Sequence, residues 1–302
     1  MCMNCPDTSP CASAHPFRSL DLGKFFISFY RGDVLDMLGK FNRGCADVIV
    51  TSPPYNIGTK YRSYSDTLPR SRYIEWMENV SLALRDVLSD GGSFFLNMGC
   101  RPRDQLLPME IALSIGKHYR LQNTIHWIKS VTVEKFDSSG TLISIDTTGH
   151  VKPVSSSRYL YDQHEYIFHF TKKGDVKLDK QSIGVPFKDK SNIRRWKGNQ
   201  RDIRDRGNVW YIPYETIQNS RQRPHPATFP RRLPEFCIRL HGLEKTELVL
   251  DPFNGIGNSA LACASLQKSF AGIDMDSHYL EYSFNRVLSL LRKDRSVQDT
   301  AQ

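Results

Sequence analysis

The chain has 302 residues, 39% hydrophobic and 24% charged, enough for one large α/β domain or a core with a second lobe. Against 32 Asp and Glu stand 41 Lys and Arg, a formal charge of +9 that favours a polyanionic partner, nucleic acid above all. Seven scattered cysteines exclude a secreted disulfide framework, no apolar run is long enough to cross a membrane, and Met1 to Leu20 lacks the cationic-then-apolar order of a signal peptide, so a reducing cytoplasm is the expected setting.

Residues 1–20, rich in Cys, Ser and Pro, read as a disordered leader. Its Cys2-x-x-Cys5, with Cys11 nearby, lacks a second pair at zinc-ligand spacing. KFFISFY (24–30) and DVIVT (47–51) read as strands. Tyr73, Trp76, Val80, Leu84, Val87 and Leu88 share one face of a helix capped by Ser71 and ended by Gly91-Gly92. GSFFLNM (92–98) is a strand, DQLLPMEIALSIGKHY a helix with Pro108 near its start, and NTIHWIK (123–129) a strand. Residues 137–157 have the Ser, Thr, Gly and Asp content of a long loop or hairpin. HEYIFHFTKKGD returns to a strand and turn. A helix follows over 225–242, with Thr228 as its cap and Pro230 in its first turn. ELVLDPFNGIGNSALACASLQ is strand, glycine turn and helix; residues 269–293 are strand, acidic end and helix; a frayed tail covers 294–302. This alternation predicts an α/β fold with a doubly wound, mostly parallel sheet covered on both faces.

In ELVLDPFNGIGNSA, Asp251 ends an apolar strand, and a turn with Gly255 and Gly257 leads into a helix. Ligands of doubly wound folds bind in this crevice. About twenty residues on, Asp274 ends the next strand, where a carboxylate can accept both hydroxyls of a ribose. The pairing implies an adenosine-containing cofactor and leaves its identity open. A dinucleotide site wants G-x-G-x-x-G, whereas Asn258-Ser259-Ala260 follow Gly257; a P-loop wants a lysine that is absent. An S-adenosylmethionine site needs no phosphate cradle, and an acidic Asp251 suits a cation. An ordinary βα turn would use the same glycines only for tight packing.

Ser52-Pro53-Pro54-Tyr55, taken together with LDPFNGIGNSA, GIDMD and RPHPATFP, resembles the motif set of the DNA amino-methyltransferases, which use S-adenosylmethionine to methylate exocyclic amino groups. The catalytic corner comes first, then a target-recognition region, then the cofactor motif, which is the permuted order of the beta group. The resemblance covers roughly Lys24 to Lys293. It implies a Rossmann-like methyltransferase sheet with an inserted target-recognition lobe. The catalytic half would span 21–129, the lobe 130–224 (with a strand near 164–171 that can join the core), and the cofactor half 225–293. Asp251, Phe253, Gly255, Gly257 and Asn258 match the cofactor loop, and Asp274 the ribose acid. Asp33 matches the position that meets the adenine, with a helix N-cap as the competing role. Thr228 and Phe229 match the element closing over the methionine. Ser52 stands where related adenine enzymes carry Asp, which implies N4 of cytosine, with adenine N6 as runner-up. The implied partners are double-stranded DNA, to which the protein would hold in the nucleoid, and a restriction endonuclease acting on the same site; the protein would be a monomer or homodimer. A non-catalytic nucleic-acid binder and a nicotinamide oxidoreductase compete. The intact Ser-Pro-Pro-Tyr and glycine turn oppose the first, the missing third glycine the second.

The chemistry suits the corner. An aromatic amine is a poor nucleophile until acceptors on its N–H bonds turn its lone pair toward the methyl. Ser52 Oγ and the Pro53 carbonyl are candidate acceptors, with the prolines fixing φ. Tyr55 offers a face on which an extruded base can stack. Methylation at cytosine C5 needs a cysteine nucleophile, and the only Pro-Cys pair, Pro10-Cys11, lies in the expected leader. Residues 187–206 hold eight Lys/Arg and three Asp around Trp196. Lys188, Lys190, Arg194, Arg195, Trp196, Arg201 and Arg204, extended by Arg221 and Arg223, are the expected DNA-contacting residues. The nine histidines show no metal-ligand pattern.

Overall fold

The computed structural model describes residues 10–11, 13–149, 156–195, 201–214 and 228–299. Among these, in chain order, the strands are β1 (Arg18–Asp21), β2 (Phe26–Arg31), β3 (Ala46–Thr51), β4 (Leu88–Met98), β5 (Arg120–Ile128), β6 (Ser130–Phe136), β7 (Leu142–Gly149), β8 (His164–Thr171), β9 (Val209–Tyr211), β10 (Leu248–Asp251) and β11 (Ser269–Asp274). One sheet has the order β1-β2-β11-β10-β3-β4-β8-β5-β9, and β6-β7 form a separate antiparallel hairpin. Within the large sheet β1 and β8 run against the other strands. The fold is the expected α/β architecture with a mostly parallel sheet.

Helices α1 (Val34–Leu38), α2 (Arg70–Val87) and α3 (Leu107–Ile115) cover one face. A single turn, α4 (Asn192–Arg195), precedes α5 (Arg232–His241), α6 (Asn258–Leu266) and α7 (Ser277–Asp299), which cover the other. On the central β3, Ile49 packs under the first layer while Val48 and Val50 pack under the second. Burial on both faces is why the strand reads as an unbroken apolar run rather than an alternating one. The parallel strands β2, β11, β10 and β3 end on the same side, so Asp33, Asp274, Asp251 and Ser52 converge at one rim.

Several boundaries depart from expectation. The α2 helix opens after Pro69 with no side-chain cap, and Ser71 lies inside it. It stops at Val87, not at the glycines, because Leu88 is fully buried and pairs opposite Ala46 as the first residue of β4. Gly92 serves close approach instead: a Cβ there would sit 2.6 Å from Leu88 Cδ1. The α5 helix begins at Arg232, not at a Thr228 cap, since Phe229 and Pro230 are buried in the chain leading to it. Within the expected disordered leader, Cys11 is buried and bridges to Phe41, and β1 pairs with β2. Cys2 and Cys5 lie outside the described residues. The helix α7 continues to Asp299, through most of the expected tail. The region 130–224 supplies β9 to the large sheet as well as the allowed strand near 164–171, β8. Of the two readings of residues 137–157, the hairpin, β6-β7, is the one found among the described residues. No helix among the described residues is long and apolar enough to cross a membrane.

Candidate active site

At the rim a cavity of about 250 Å³ is lined by Asp33, the whole Ser52–Tyr55 corner, Phe253, Gly255 and Asp274. Residues from opposite ends of the sequence thus share one chamber. Tyr61, Tyr64, Trp76 and Tyr279 form an aromatic wall. Asp276 joins Asp33 and Asp274, and among the described residues no Lys or Arg lines the cavity.

The corner is braced from below and behind. Tyr73 Oη donates to the Pro54 carbonyl at 2.6 Å, and among the described residues no donor reaches the Pro53 carbonyl. Asp66, 2% exposed, accepts from the backbone N–H groups of Asn56, Ile57 and Thr59 at 2.7, 3.0 and 2.9 Å. Asn56 takes φ of 56°, tolerable for asparagine, and its side chain bonds both the N–H and the carbonyl of Leu68 at 2.7 Å. Charge-assisted bonds of this kind contribute about 1.5–3 kcal/mol each. They set the loop that carries Tyr61 and Tyr64 over the cavity, and Ser63 fastens it by donating to Asp276 at 3.1 Å.

Behind Ser52 lies a polar network in an apolar setting. Ser52 Oγ and Tyr55 Oη are 2.6 Å apart. Tyr55 Oη donates to Glu165 Oε2 at 3.0 Å; Asn97 Nδ2 donates to Tyr55 Oη at 2.6 Å and to Glu165 Oε2 at 2.7 Å. Lys129 Nζ pairs with Glu165 Oε1 at 3.3 Å, both side chains nearly buried. Burial, then the Glu165 charge, raise the Tyr55 pKa well above its ordinary value and keep the phenol protonated. The ring edge packs where a Cβ on Gly99 would stand, 2.8 Å from Tyr55 Cε2. Tyr55, expected as a stacking face, is thus held by its hydroxyl and its edge. Asn97, Lys129 and Glu165 were not singled out from the sequence. The available signal was an Asn and a Glu inside apolar strands, FFLNM and HEYIF, where a buried polar group needs partners.

At the cofactor end, Asp274 accepts from the N–H of Gly255 at 2.8 Å and of Asp276 at 2.9 Å. Burial raises its pKa to about 6 against those donors. Gly255 adopts φ of 50° and lines the cavity. Asp33 both lines the cavity and caps α1, Oδ1 accepting from Leu35 N at 2.8 Å. Asp251 does not line it. Its carboxylate is filled by Thr51 Oγ1 at 2.8 Å, Ser259 Oγ at 2.7 Å and Phe253 N at 3.1 Å, and burial raises its pKa to about 6. Gly257 also stands away: its φ is 75°, and a Cβ would meet Ser283 Oγ at 1.7 Å, so this glycine admits α7. Asn258 Nδ2 donates to the Phe229 carbonyl at 2.6 Å, and Asn258 Oδ1 accepts from Arg286 at 2.8 Å. Asn258 therefore ties the expected closing element to the glycine turn; Thr228 is half-buried beside it, and neither Thr228 nor Phe229 lines the cavity.

The lining decides among the three cofactor chemistries. Asp276 is paired with Arg62 at 3.3 Å, but Asp33 and Asp274 line the cavity with no cationic partner among the described residues. They repel a di- or triphosphate and favour a ligand with cationic character. The Tyr64 hydroxyl, at the wall, is buried without a partner among the described residues, and Asp274 is a desolvated acceptor. An adenosine with hydroxyls and a sulfonium fits these residues.

Of the expected DNA residues, Lys188, Lys190, Arg195, Arg201 and Arg204 are exposed. Lys190 is ion-paired with Asp202. Trp196, Arg221, Arg223 and the side chain of Arg194 lie outside the described residues. A basic cluster missed from the sequence sits on the flank of α5: Arg206, Arg231, Arg232 and Arg239 line one groove whose one carboxylate is Glu235. Arg206 and Arg232 place their guanidinium carbons 4.8 and 5.1 Å from the Phe236 ring. Burial, then repulsion from Arg232 and Arg204, lower the Arg206 pKa. No cluster of metal-ligating side chains occurs among the described residues.

The family model described as DNA methylase matches residues 46–285, from the strand before the corner to the last helix. The protein belongs to the DNA methylase family. Type II methyltransferase M.BglII of Bacillus subtilis is 26% identical over 269 residues, covering 84% of this chain and 67% of its own. M.HpaI of Haemophilus parainfluenzae is 25% identical, covering 84% and 72%. The DNA adenine methyltransferase YhdJ of Escherichia coli K12 is 24% identical, covering 85% and 81%. Among solved structures, the cytosine-N4-specific PvuII DNA methyltransferase shares the fold with a TM-score of 0.60 at 17% identity, over 88% of this chain and 92% of that one. TTHA0409 of Thermus thermophilus, solved with S-adenosyl-L-methionine, gives 0.54 at 19% over 87% and 93%. The methyl donor of the DNA methylase family is S-adenosylmethionine.

Proposed function

We propose that the protein methylates the exocyclic N4 of cytosine at a specific sequence in duplex DNA, by base flipping and direct displacement. The observation that carries this reading is the single chamber joining Ser52–Tyr55 to Asp274, Gly255 and Phe253. Bound S-adenosylmethionine supplies a methyl already activated on a sulfonium. Asp274 would accept from the ribose, Asp33 would meet the adenine, and the aromatic wall would exclude water. Ser52 Oγ and the Pro53 carbonyl would accept hydrogen bonds from the two amine N–H groups and turn the lone pair toward the methyl. As the N–C bond forms the S–C bond breaks, S-adenosylhomocysteine leaves, and one amine proton is then lost to water. Orientation of this kind supplies much of the rate when no strong base is needed. Thr228 and Phe229 would close over the methionine part through Asn258.

Ser52 in place of Asp favours cytosine. The likeness to an adenine methyltransferase keeps adenine N6 as a second reading. A restriction endonuclease acting on the same site is the expected partner. The test is to express the protein, digest host DNA and measure N4-methylcytosine and N6-methyladenine by mass spectrometry. N4-methylcytosine is expected. N6-methyladenine alone would transfer the assignment to adenine, and neither base, with tritiated cofactor also failing to label DNA, would overturn the reading.

A further inference from the structure

A serine hydroxyl can donate or accept, and a target amine offers two donors, so Ser52 helps only if its own proton points elsewhere. The network behind it fixes that direction. Glu165, paired with Lys129 through Oε1, only accepts through Oε2, which receives Asn97 Nδ2 and Tyr55 Oη. The single phenolic proton of Tyr55 is therefore committed to Glu165. The Tyr55 oxygen is left to accept, and it does so from Asn97 Nδ2. At 2.6 Å the remaining neighbour, Ser52 Oγ, must then be the donor to Tyr55. The direction rests on the Asn97 amide presenting Nδ2 to the Glu165 carboxylate. Nδ2 also stands 3.5 Å from Ser52 Oγ, and with the hydroxyl proton on Tyr55, Ser52 presents a lone pair rather than a proton to the cavity it lines.

We infer that Glu165 is a positioning residue: through Tyr55, and held by Lys129 and Asn97, it orients the Ser52 hydroxyl as a pure acceptor for the target amine. This rests on the methyl-transfer reading above. It gives a physical reason why a neutral serine can stand where related enzymes use a carboxylate: the missing charge sits one residue farther back, at Glu165, and acts through a hydroxyl.

Glu165→Gln tests the inference because Lys129 dictates the amide's orientation. Parent and variant are compared in an Asn97→Leu background, because the Asn97 amide would otherwise turn over and take the phenolic proton. The new amide oxygen then turns to Lys129 and its NH2 to Tyr55, so the phenol becomes an acceptor there and donates to Ser52, whose proton then faces the amine. Single-turnover methylation should fall by about 10- to 100-fold, the scale on which removing a partner that orients a functional group acts. Cofactor affinity by calorimetry should stay within about twofold, since no network residue behind Ser52 and Tyr55 lines the cavity with Asp274. Lys129→Met with Glu165→Gln frees the amide to turn its oxygen to Tyr55 and should recover much of the loss, which a merely structural role would not. A single variant as fast as the parent, or a double variant no faster than the single, overturns the inference. The ring carbon bearing the Tyr55 hydroxyl, labelled with ¹³C and assigned by its loss in Tyr55→Phe, reads the chain without catalysis. Its resonance should lie toward the phenolate position in the parent and return in Glu165→Gln; an unchanged resonance also overturns the inference. A parent protein that labels no DNA overturns the methyl-transfer reading instead, and the ¹³C signal still decides the hydroxyl's direction.

Discussion

Thr51 Oγ1 donates to Asp251 Oδ1 at 2.8 Å across 200 residues of sequence, and the bond is buried. It locks the end of β3, one residue before Ser52, to the start of the glycine turn. The expected ligand-facing acid is instead the bolt between the two halves of the site. Asp251 also holds Ser259 of α6 and the N–H of Phe253, so one carboxylate fixes the catalytic strand, the turn and the helix.

Thr51→Val keeps the shape and removes that donor from a buried carboxylate. A loss of about 1–3 kcal/mol is expected, the penalty for an unsatisfied buried group. The midpoint of urea unfolding at neutral pH should fall, and the Asp251 pKa should rise further. An unchanged midpoint would show that the bond carries no stability.

Asp274 gives a pH dependence with a definite sign. Burial raises its pKa to about 6, opposed by the N–H groups of Asp276 and Gly255. The ionised form accepts from a ribose, so cofactor affinity should be level above about pH 7 and fall by up to about tenfold per unit below 6. Asp251 titrates in the same range without lining the cavity. Calorimetry on Asp274→Asn separates the two: its affinity should be low and flat with pH, and a retained slope would assign the effect to Asp251.

Much of the fold was legible because strand and helix periods are local. The apolar runs around Val48, Val249 and Phe270 announced parallel strands buried on both faces. Cofactor-side residues that act through local geometry, Gly255 and Asp274, were legible too. Boundaries failed where tertiary burial overruled a cap or breaker, as at Leu88 and Thr228. The polar partners failed for a different reason. Glu165 meets Tyr55 across 110 residues, and nothing in either neighbourhood encodes that pairing. Gly257 looked like a ligand glycine because its motif matched, yet its steric requirement comes from Ser283 on another helix.

His169 and His241 predict an acid limb in stability. Ser93 Oγ, on β4, sits 3.0 Å from His169 Nε2 and 2.9 Å from His241 Nδ1, and all three are buried. Burial lowers their pKa values from 6.5 to about 3 and about 4. The unfolded chain therefore binds protons that the folded chain refuses between pH 6.5 and those values. Their contribution to stability should be full above pH 6.5 and decline as pH falls below it, by about 1.4 kcal/mol per unit for each fully coupled ring. Below pH 6, Asp251 and Asp274, with pKa values raised to about 6, contribute a slope of the opposite sign, so the histidine share is read as the difference between parent and variant. Urea unfolding from pH 7.5 to 5 measures this, and His169→Gln should shallow the slope. A slope identical to the parent's would remove His169 from the account.

The arginine groove on α5 makes the last prediction. Burial, then repulsion from Arg232 and Arg204, lower the Arg206 pKa beside Phe236, and an anion would relieve the repulsion. Arg231 is already matched by Glu235, whereas Arg232 and Arg239 have no carboxylate partner among the described residues. If DNA phosphates lie along this flank, Arg232→Ala with Arg239→Ala should reduce the slope of log K against log salt by about 2, near 0.9 for each phosphate no longer neutralised. Affinity should fall equally for cognate and unrelated duplexes, because phosphate contacts carry no sequence information. Lys190→Ala is the internal control: its ammonium is paired with Asp202, so little counterion release depends on it. A double variant with the parent's slope would exclude this flank from the DNA path and leave phosphate contact to the exposed Lys188, Arg195, Arg201 and Arg204.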